Sequence, residues 1–316
     1  MTLVLLPDTI PLDPRLPEGV RAARYDVHQP IPPELRGAEV LVAWGNPADR
    51  LAEAARDLTA LRWVQSLAAG PDAVLAAGFD PAVVVTSGRG LHDGPVAEHT
   101  LALLLALARR LPEAVRAQQR REWSSEIGGL QPIPGSDGAG FGSLSGARVL
   151  IWGFGSIAAR LAPALTLLGA EVVGIASTAG RRAGYPVVTL DEALDLLPRT
   201  DALIDILPAT TATRRVVDDG ILRRLPARAV FVNVGRGSTV DEGALLRALQ
   251  EGRLAAAAVD VTATEPLPPD SPLWDLPNLL ITPHAAGGRP VGADTLLADN
   301  LAAFQRGEPL RNTVTR

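Results

Sequence analysis

Short apolar runs alternate with helix-forming stretches along the whole chain. The runs are Leu3–Leu6, Glu39–Trp44, Trp63–Leu67 and Val83–Thr86, followed by Val149–Trp152, Glu171–Ile175, Ala202–Leu207, Val230–Val234, Ala257–Val261 and Leu279–Thr282. The later runs are apolar at nearly every position and do not alternate with polar residues. Such a strand is buried on both faces, which requires a parallel sheet covered by helices. Segments between them, such as Asp241–Gln250, carry helical periodicity. This order predicts an α/β, doubly wound architecture. At 316 residues the chain has room for two such domains.

Composition removes several chemistries. The chain has no cysteine, which excludes disulfides, thiolate metal sites and cysteine nucleophiles. All 30 basic residues are arginine, so neither a Schiff-base lysine nor a P-loop lysine is available. Background base composition accounts for most of that bias. The net charge is −5 and no basic block stands out, which argues against nucleic acid or an anionic membrane as partner. The stretch Met1–Pro14 has no positive n-region, and the longest apolar run, Leu101–Ala108, is far short of a span. A soluble, cytoplasmic protein without a metal site is expected.

The strongest predicted helix is Pro95–Arg110, with Asp93 or Gly94 as cap and Glu98 in its first turns. Its apolar body points to burial between domains or subunits. The glycine-rich stretch Ser124–Gly146 is too long for an ordinary connection, so a functional or flexible loop is expected there.

Val149–Trp152 leads into Gly153-Phe-Gly155-Ser156-Ile157-Ala158 and then a helical stretch. A strand, a glycine turn and a helix in this order form a dinucleotide-binding fingerprint. Gly153 permits the tight turn and Gly155 lets the backbone approach a pyrophosphate. The N–H groups of Ser156 and Ile157 point at the phosphates from the helix start. The next strand ends in Ala176-Ser177-Thr178, followed by Arg181-Arg182. An acid near Ser177 would bind the ribose 2′-hydroxyl of NAD. Hydroxyls and guanidinium groups stand there instead and suit a 2′-phosphate. NADP(H) is therefore favoured, with NAD(H) possible.

Three later segments contain Arg236, within Phe231–Asp241, Glu265, within Ala258–Pro268, and His284, within Ile281–Gly287. Arg236 and His284 each follow a predicted strand at its carboxyl end, where open α/β sheets bind ligands. With Ala69-Gly70-Pro71-Asp72, Val96-Ala97-Glu98, the glycine turn, and Leu207-Pro208 with Thr213, these segments resemble the D-isomer-specific 2-hydroxyacid dehydrogenase family. The similarity runs along nearly the whole chain.

The resemblance implies two Rossmann-like, doubly wound parallel-sheet domains with a cleft between them. Residues 1–92 plus 285–316 would bind substrate and 93–284 would bind the dinucleotide. It implies that Arg236, Glu265 and His284 are catalytic. Asp260 would contact the nicotinamide carboxamide, and Leu207, Pro208, Thr213 and Val234 would line the cofactor site. Backbone N–H groups of Ala68, Ala69 and Gly70 would join Arg236 in holding the substrate carboxylate. Helix 95–110 would form a homodimer interface. His92 reads as an ordinary loop histidine, with a pocket role as the alternative.

The physical logic agrees with those roles. Hydride attack on a 2-keto acid puts negative charge on the carbonyl oxygen, and histidine, titrating near 6.5, can supply the proton. A neighbouring carboxylate favours imidazolium and fixes the tautomer. An arginine fork matches the substrate carboxylate.

The chain departs from the family at Thr262, where an aromatic is usual after the Asp-Val pair, and at Ser177, where an acid is usual. Reduction of glyoxylate or hydroxypyruvate is the expected activity. An NAD-dependent dehydrogenase of the phosphoglycerate type and a dinucleotide-sensing, corepressor-like binding protein are the alternatives. Formate dehydrogenases carry glutamine where Glu265 stands.

Overall fold

Every residue of Thr2–Pro7 is buried, as expected of a strand covered on both faces. It is β1 of a parallel sheet with β2 (Val20–Tyr25), β3 (Val40–Ala43), β4 (Trp63–Ser66) and β5 (Val84–Thr86), in the order β2-β1-β3-β4-β5. The computed structural model describes residues 1–128 and 141–315. They fall into two units, 1–92 with 289–316, and 93–288.

In the first unit, the helix Ala48–Asp57 places Leu51 and Ala54 against Leu5, Leu41 and Val64 on one face of the sheet. The helix Ala293–Arg306 places Leu296, Leu297 and Leu301 against Val4, Val40 and Trp63 on the other. Burial of each leucine contributes about 1.5–3 kcal/mol, enough to hold the returning C-terminal helix in place. Its register is set by buried Asn300, whose amide donates to Gln65 Oε1 and whose carbonyl accepts the Arg311 N–H. β2 escaped the apolar pattern because it is an edge strand with exposed Arg21 and Ala22.

The second unit holds an eight-stranded sheet. Its strands are β6 (Arg148–Trp152), β7 (Glu171–Ile175), β8 (Gly180–Arg182), β9 (Tyr185–Val188), β10 (Ala202–Asp205), β11 (Val230–Asn233), β12 (Ala256–Val259) and β13 (Leu279–Ile281). The order is β13-β12-β11-β10-β6-β7-β9-β8, parallel throughout except for the β8–β9 pair. The fold is thus α/β with doubly wound parallel sheets. Arg181 and Arg182 lie on β8, a short and mostly exposed strand that no apolar pattern announces.

The helix Asp93–Ala108 buries Val96, Leu103, Leu104 and Leu107 in a core shared with Ala158, Leu161 and Leu165 of the helix Ser156–Leu167. Arg110, expected as its end, has φ +53° and caps a further helix, Leu111–Gln119. Of the stretch Ser124–Gly146, residues 129–140 lie outside the described residues.

Residues 285–288 belong with 93–284, not with the C-terminal return as expected. The Ala285 and Ala286 N–H groups donate to the Asp260 carboxylate at 2.8 and 2.9 Å, which ties this segment to the β12 end.

Candidate active site

The chain runs outward from β6 through β7 to β9 and β8, then returns to the other side of β6 as β10. Beyond the carboxyl ends of β6 and β10 lies the switch point where open α/β sheets bind ligands. The glycine turn occupies it. Gly153 has φ +99°, and a Cβ there would sit 2.7 Å from the Ile206 carbonyl oxygen. Only glycine fits both conditions. A Cβ on Gly155 would meet open space. Gly155 also caps the helix Ser156–Leu167 without any side-chain cap, so the N–H groups of Ser156 and Ile157 begin a helix that no side chain closes. This turn fits a dinucleotide pyrophosphate.

Ser177 and Thr178, just beyond β7, are exposed. Arg182 reaches back from β8 to the same place. Its guanidinium donates to Thr178 Oγ1 at 3.0 Å and to the Phe154 carbonyl at 3.3 Å, inside the glycine turn. Arg181 instead donates to the Gly184 carbonyl within its own hairpin. The structure thus brings Arg182, but not Arg181, to the turn.

Leu207 is buried and Pro208 exposed at the β10 end. Thr213 Oγ1 donates to the Pro208 carbonyl at 2.6 Å, which folds the intervening loop back on itself. Val234 is buried, and its N–H pairs with the Asp205 carbonyl.

Arg236 follows β11 in extended conformation and begins the turn Gly237–Thr239. Asn233 Nδ2 donates to its carbonyl at 3.1 Å, and Thr239 Oγ1 lies 2.6 Å from the same oxygen. A Cβ on Gly237 would fall 1.9 Å from the Thr262 carbonyl carbon, so this turn packs backbone against backbone on the loop that carries Glu265.

That loop is held by several bonds. The Thr262 N–H donates to Glu265 Oε1 at 3.0 Å, the Ala263 N–H to Glu242 Oε1 at 2.6 Å, and Trp274 Nε1 to the Pro268 carbonyl at 2.9 Å. His284 Nδ1 lies 2.7 Å from Glu265 Oε2. A carboxylate accepts only, so Nδ1 carries the proton and Nε2 is left for proton exchange. The pair borders a cavity of about 540 Å³ with an apolar side formed by Pro266, Leu267, Trp274 and Pro283. A recess of about 700 Å³ in the first unit, at Phe79 and Phe304, includes neither residue of the pair.

His284 has φ +51°, a conformation uncommon outside glycine. Its N–H donates to the Asp260 carbonyl at 2.8 Å. The buried Asp260 carboxylate accepts from Thr282 Oγ1, Ala285 N and Ala286 N. The carboxylate of Asp260, the residue expected to touch the nicotinamide, holds the His284 loop. His99 Nε2, on the helix Asp93–Ala108, adds a contact of 3.0 Å to Thr282 Oγ1 and one of 3.4 Å to Asp260.

Ala68, Ala69 and Gly70 follow β4 in the first unit, where the Ala68 N–H is taken by Ser66 Oγ at 3.2 Å. His92, read from sequence as a loop histidine, is buried in that unit. Its Nε2 lies 2.7 Å from the Leu67 carbonyl, and its ring stacks on Trp44 at 5.4 Å.

Sequence reasoning passed over Asp205. It ends β10 wholly buried, between the Leu207 N–H and Thr239 Oγ1. Burial pushes its carboxyl up to about 7, against the lowering effect of those two hydrogen bonds. The available signal was a single acid inside the apolar run Ala202–Leu207. Among the described residues no helix is long and apolar enough to cross a membrane, and no group of His, Asp and Glu is placed to hold a metal ion.

A parallel sheet with its glycine turn at the switch point, and a histidine–carboxylate pair at neighbouring strand ends, define a dinucleotide-dependent oxidoreductase. Residues 101–286 match the NAD binding domain of the D-isomer specific 2-hydroxyacid dehydrogenases. The glyoxylate reductase of Aeropyrum pernix is 34% identical over 259 residues, 77% of this chain and 76% of that one. A D-isomer specific 2-hydroxyacid dehydrogenase family protein from Aeromonas salmonicida superposes with a TM-score of 0.84 at 30% identity, covering 99% of this chain and 98% of that one. The NADPH-dependent glyoxylate/hydroxypyruvate reductase of Sinorhizobium meliloti, solved with NADP and sulfate, gives 0.78 at 26% identity over 99% and 98%. The chain belongs to the D-isomer specific 2-hydroxyacid dehydrogenase family, and so to the NAD(P)-dependent dehydrogenases of D-2-hydroxy acids.

Proposed function

We propose that the protein reduces a small 2-keto acid, glyoxylate or hydroxypyruvate, with NADPH in preference to NADH, and works as a homodimer. The observation that carries the chemistry is the 2.7 Å contact between His284 Nδ1 and Glu265 Oε2. The reduced nicotinamide, when bound, supplies the hydride. As charge grows on the substrate carbonyl oxygen, His284 Nε2 delivers a proton to it. In the oxidative direction neutral Nε2 takes the proton back. Glu265 keeps the imidazole in one tautomer and offsets its positive charge. Arg236 binds the substrate carboxylate through its planar fork.

The cofactor preference rests on Arg182 and Thr178, which stand beside the glycine turn where an acid would repel a 2′-phosphate. The names of the Aeropyrum and Sinorhizobium relatives support the choice of substrate, and the latter's supports the choice of cofactor. The dimer rests on the apolar helix Asp93–Ala108 as its interface.

Steady-state kinetics with glyoxylate, hydroxypyruvate, pyruvate and phosphohydroxypyruvate, each with NADPH and NADH, tests the reading. The largest kcat/KM is expected for NADPH with one of the first two. A clear NADH preference overturns the cofactor assignment, and a phosphohydroxypyruvate preference overturns the substrate assignment. Light scattering of the purified protein tests the dimer.

A further inference from the structure

Asp205 takes no part in these steps, yet it is wholly buried one hydroxyl away from the Arg236 backbone. Its Oδ1 accepts the Leu207 N–H at 2.9 Å and its Oδ2 lies 2.5 Å from Thr239 Oγ1. Thr239, also wholly buried, lies 2.6 Å from the Arg236 carbonyl oxygen. A hydroxyl has one proton, so Thr239 cannot donate to both oxygens. If Asp205 is ionised, its carboxylate competes with the Arg236 carbonyl for that proton, and one of the two short contacts of Thr239 Oγ1 is left without a proton, while the Arg236 carbonyl keeps the Asn233 amide and the Thr239 N–H. If Asp205 is protonated, it donates to Thr239 and Thr239 donates to Arg236. Both short contacts of Thr239 Oγ1 then hold a proton.

We propose that Asp205 is a positioning residue for Arg236, acting as a neutral acid that, through Thr239, fixes the turn from which the guanidinium meets the substrate carboxylate. The proposal rests on the substrate role of Arg236 given above. Burial favours the protonated form, and among the described residues no cation is a cause acting on it. The paired positions on β6 and β11 hold Trp152 and Asn233, and the facing turn holds Thr239, none of which ionises.

The test compares D205N, D205A and R236Q. The readouts are kcat and KM for glyoxylate and hydroxypyruvate from pH 5.5 to 9 at saturating reduced cofactor, and cofactor Kd by fluorescence. In D205N the amide oxygen still accepts from Leu207 and the amide nitrogen donates to Thr239, so wild-type kcat/KM is expected. D205A should raise KM roughly tenfold, as expected for a broken buried hydrogen bond, with cofactor Kd unchanged. R236Q should lose far more. Wild-type KM in D205A beside a collapsed R236Q overturns the proposal and leaves the Arg236 role standing. D205N as impaired as D205A also overturns it. Wild-type KM in R236Q overturns the Arg236 reading and the proposal with it. Should D205A fail to fold, the pH profiles decide. Wild-type KM should rise above about pH 7 and the D205N KM should not; coincident profiles overturn the proposal.

Discussion

Glu265 and His284 stand 19 residues apart in sequence, and their side chains meet at 2.7 Å between Oε2 and Nδ1. Each is held by its own loop: Glu265 by the Thr262 N–H, His284 by the Asp260 carbonyl. The pair is partly exposed, so its worth lies in orientation, and the ion pair itself adds little stability.

His284→Gln should reduce kcat by about 10²–10⁴-fold, the range for loss of a general acid. Cofactor Kd should stay within a few-fold of wild type in a fluorescence titration. Retained turnover would remove the assigned role.

Asp260→Ala should act on stability and rate together. It leaves three donors, Thr282 Oγ1, Ala285 N and Ala286 N, without their charged acceptor. Hydrogen bonds to charged groups contribute about 1.5–3 kcal/mol each, so a loss of at least about 3 kcal/mol is expected in denaturant unfolding. Released from the loop tether, His284 should leave its left-handed conformation, and kcat should fall as well. A variant with wild-type stability would show that the loop holds itself.

Arg182→Ala should lower kcat/KM for NADPH about 10–100-fold, the value of a charge-assisted contact, and leave that for NADH nearly unchanged. Equal losses for both cofactors would place Arg182 in a structural role.

Gly237→Ala should fail through backbone collision, since its new methyl would overlap the Thr262 carbonyl carbon. Relief requires movement of either the Arg236 turn or the Glu265 loop. A loss of at least about 3 kcal/mol is expected, at the upper end of overpacking, with a raised KM for the 2-keto acid. Unchanged unfolding midpoint and KM would show that the two loops separate freely.

Asp205 sets a pH dependence of stability. Its folded-state carboxyl is raised to about 7 by burial, above the usual value near 3.9. The folded protein therefore binds this proton more tightly than the unfolded chain does. The stabilisation is complete below about pH 4 and is lost as pH rises to about 7, at about 1.4 kcal/mol per unit of raised pKa. D205N should flatten that part of the curve. Parallel curves for wild type and D205N between pH 4 and 7 would show that Asp205 stays ionised when folded.

The sequence determined every strand that is apolar on both faces, because a run such as Val230–Val234 is stable only inside a covered parallel sheet. It determined the dinucleotide turn, since Gly153 and Gly155 stand between such a strand and a helix. It also placed Arg236 and His284 at strand ends. It left β2, β8 and β9 unread, because edge and hairpin strands are held by backbone pairing and need no apolar pattern.

Tertiary structure alone decided which polar atoms meet. Arg181 and Arg182 are adjacent in sequence, but strand alternation sends only Arg182 back to the glycine turn. Asp260, expected at the nicotinamide, anchors the His284 loop through three hydrogen bonds that only the fold brings together. Asp205, one acid inside an apolar run, is in the fold a buried acid one hydroxyl away from the Arg236 backbone. Hydrophobic burial is close to additive along a chain and can be read locally. A hydrogen bond depends on tenths of an ångström between residues far apart in sequence, and only the packed fold fixes those distances.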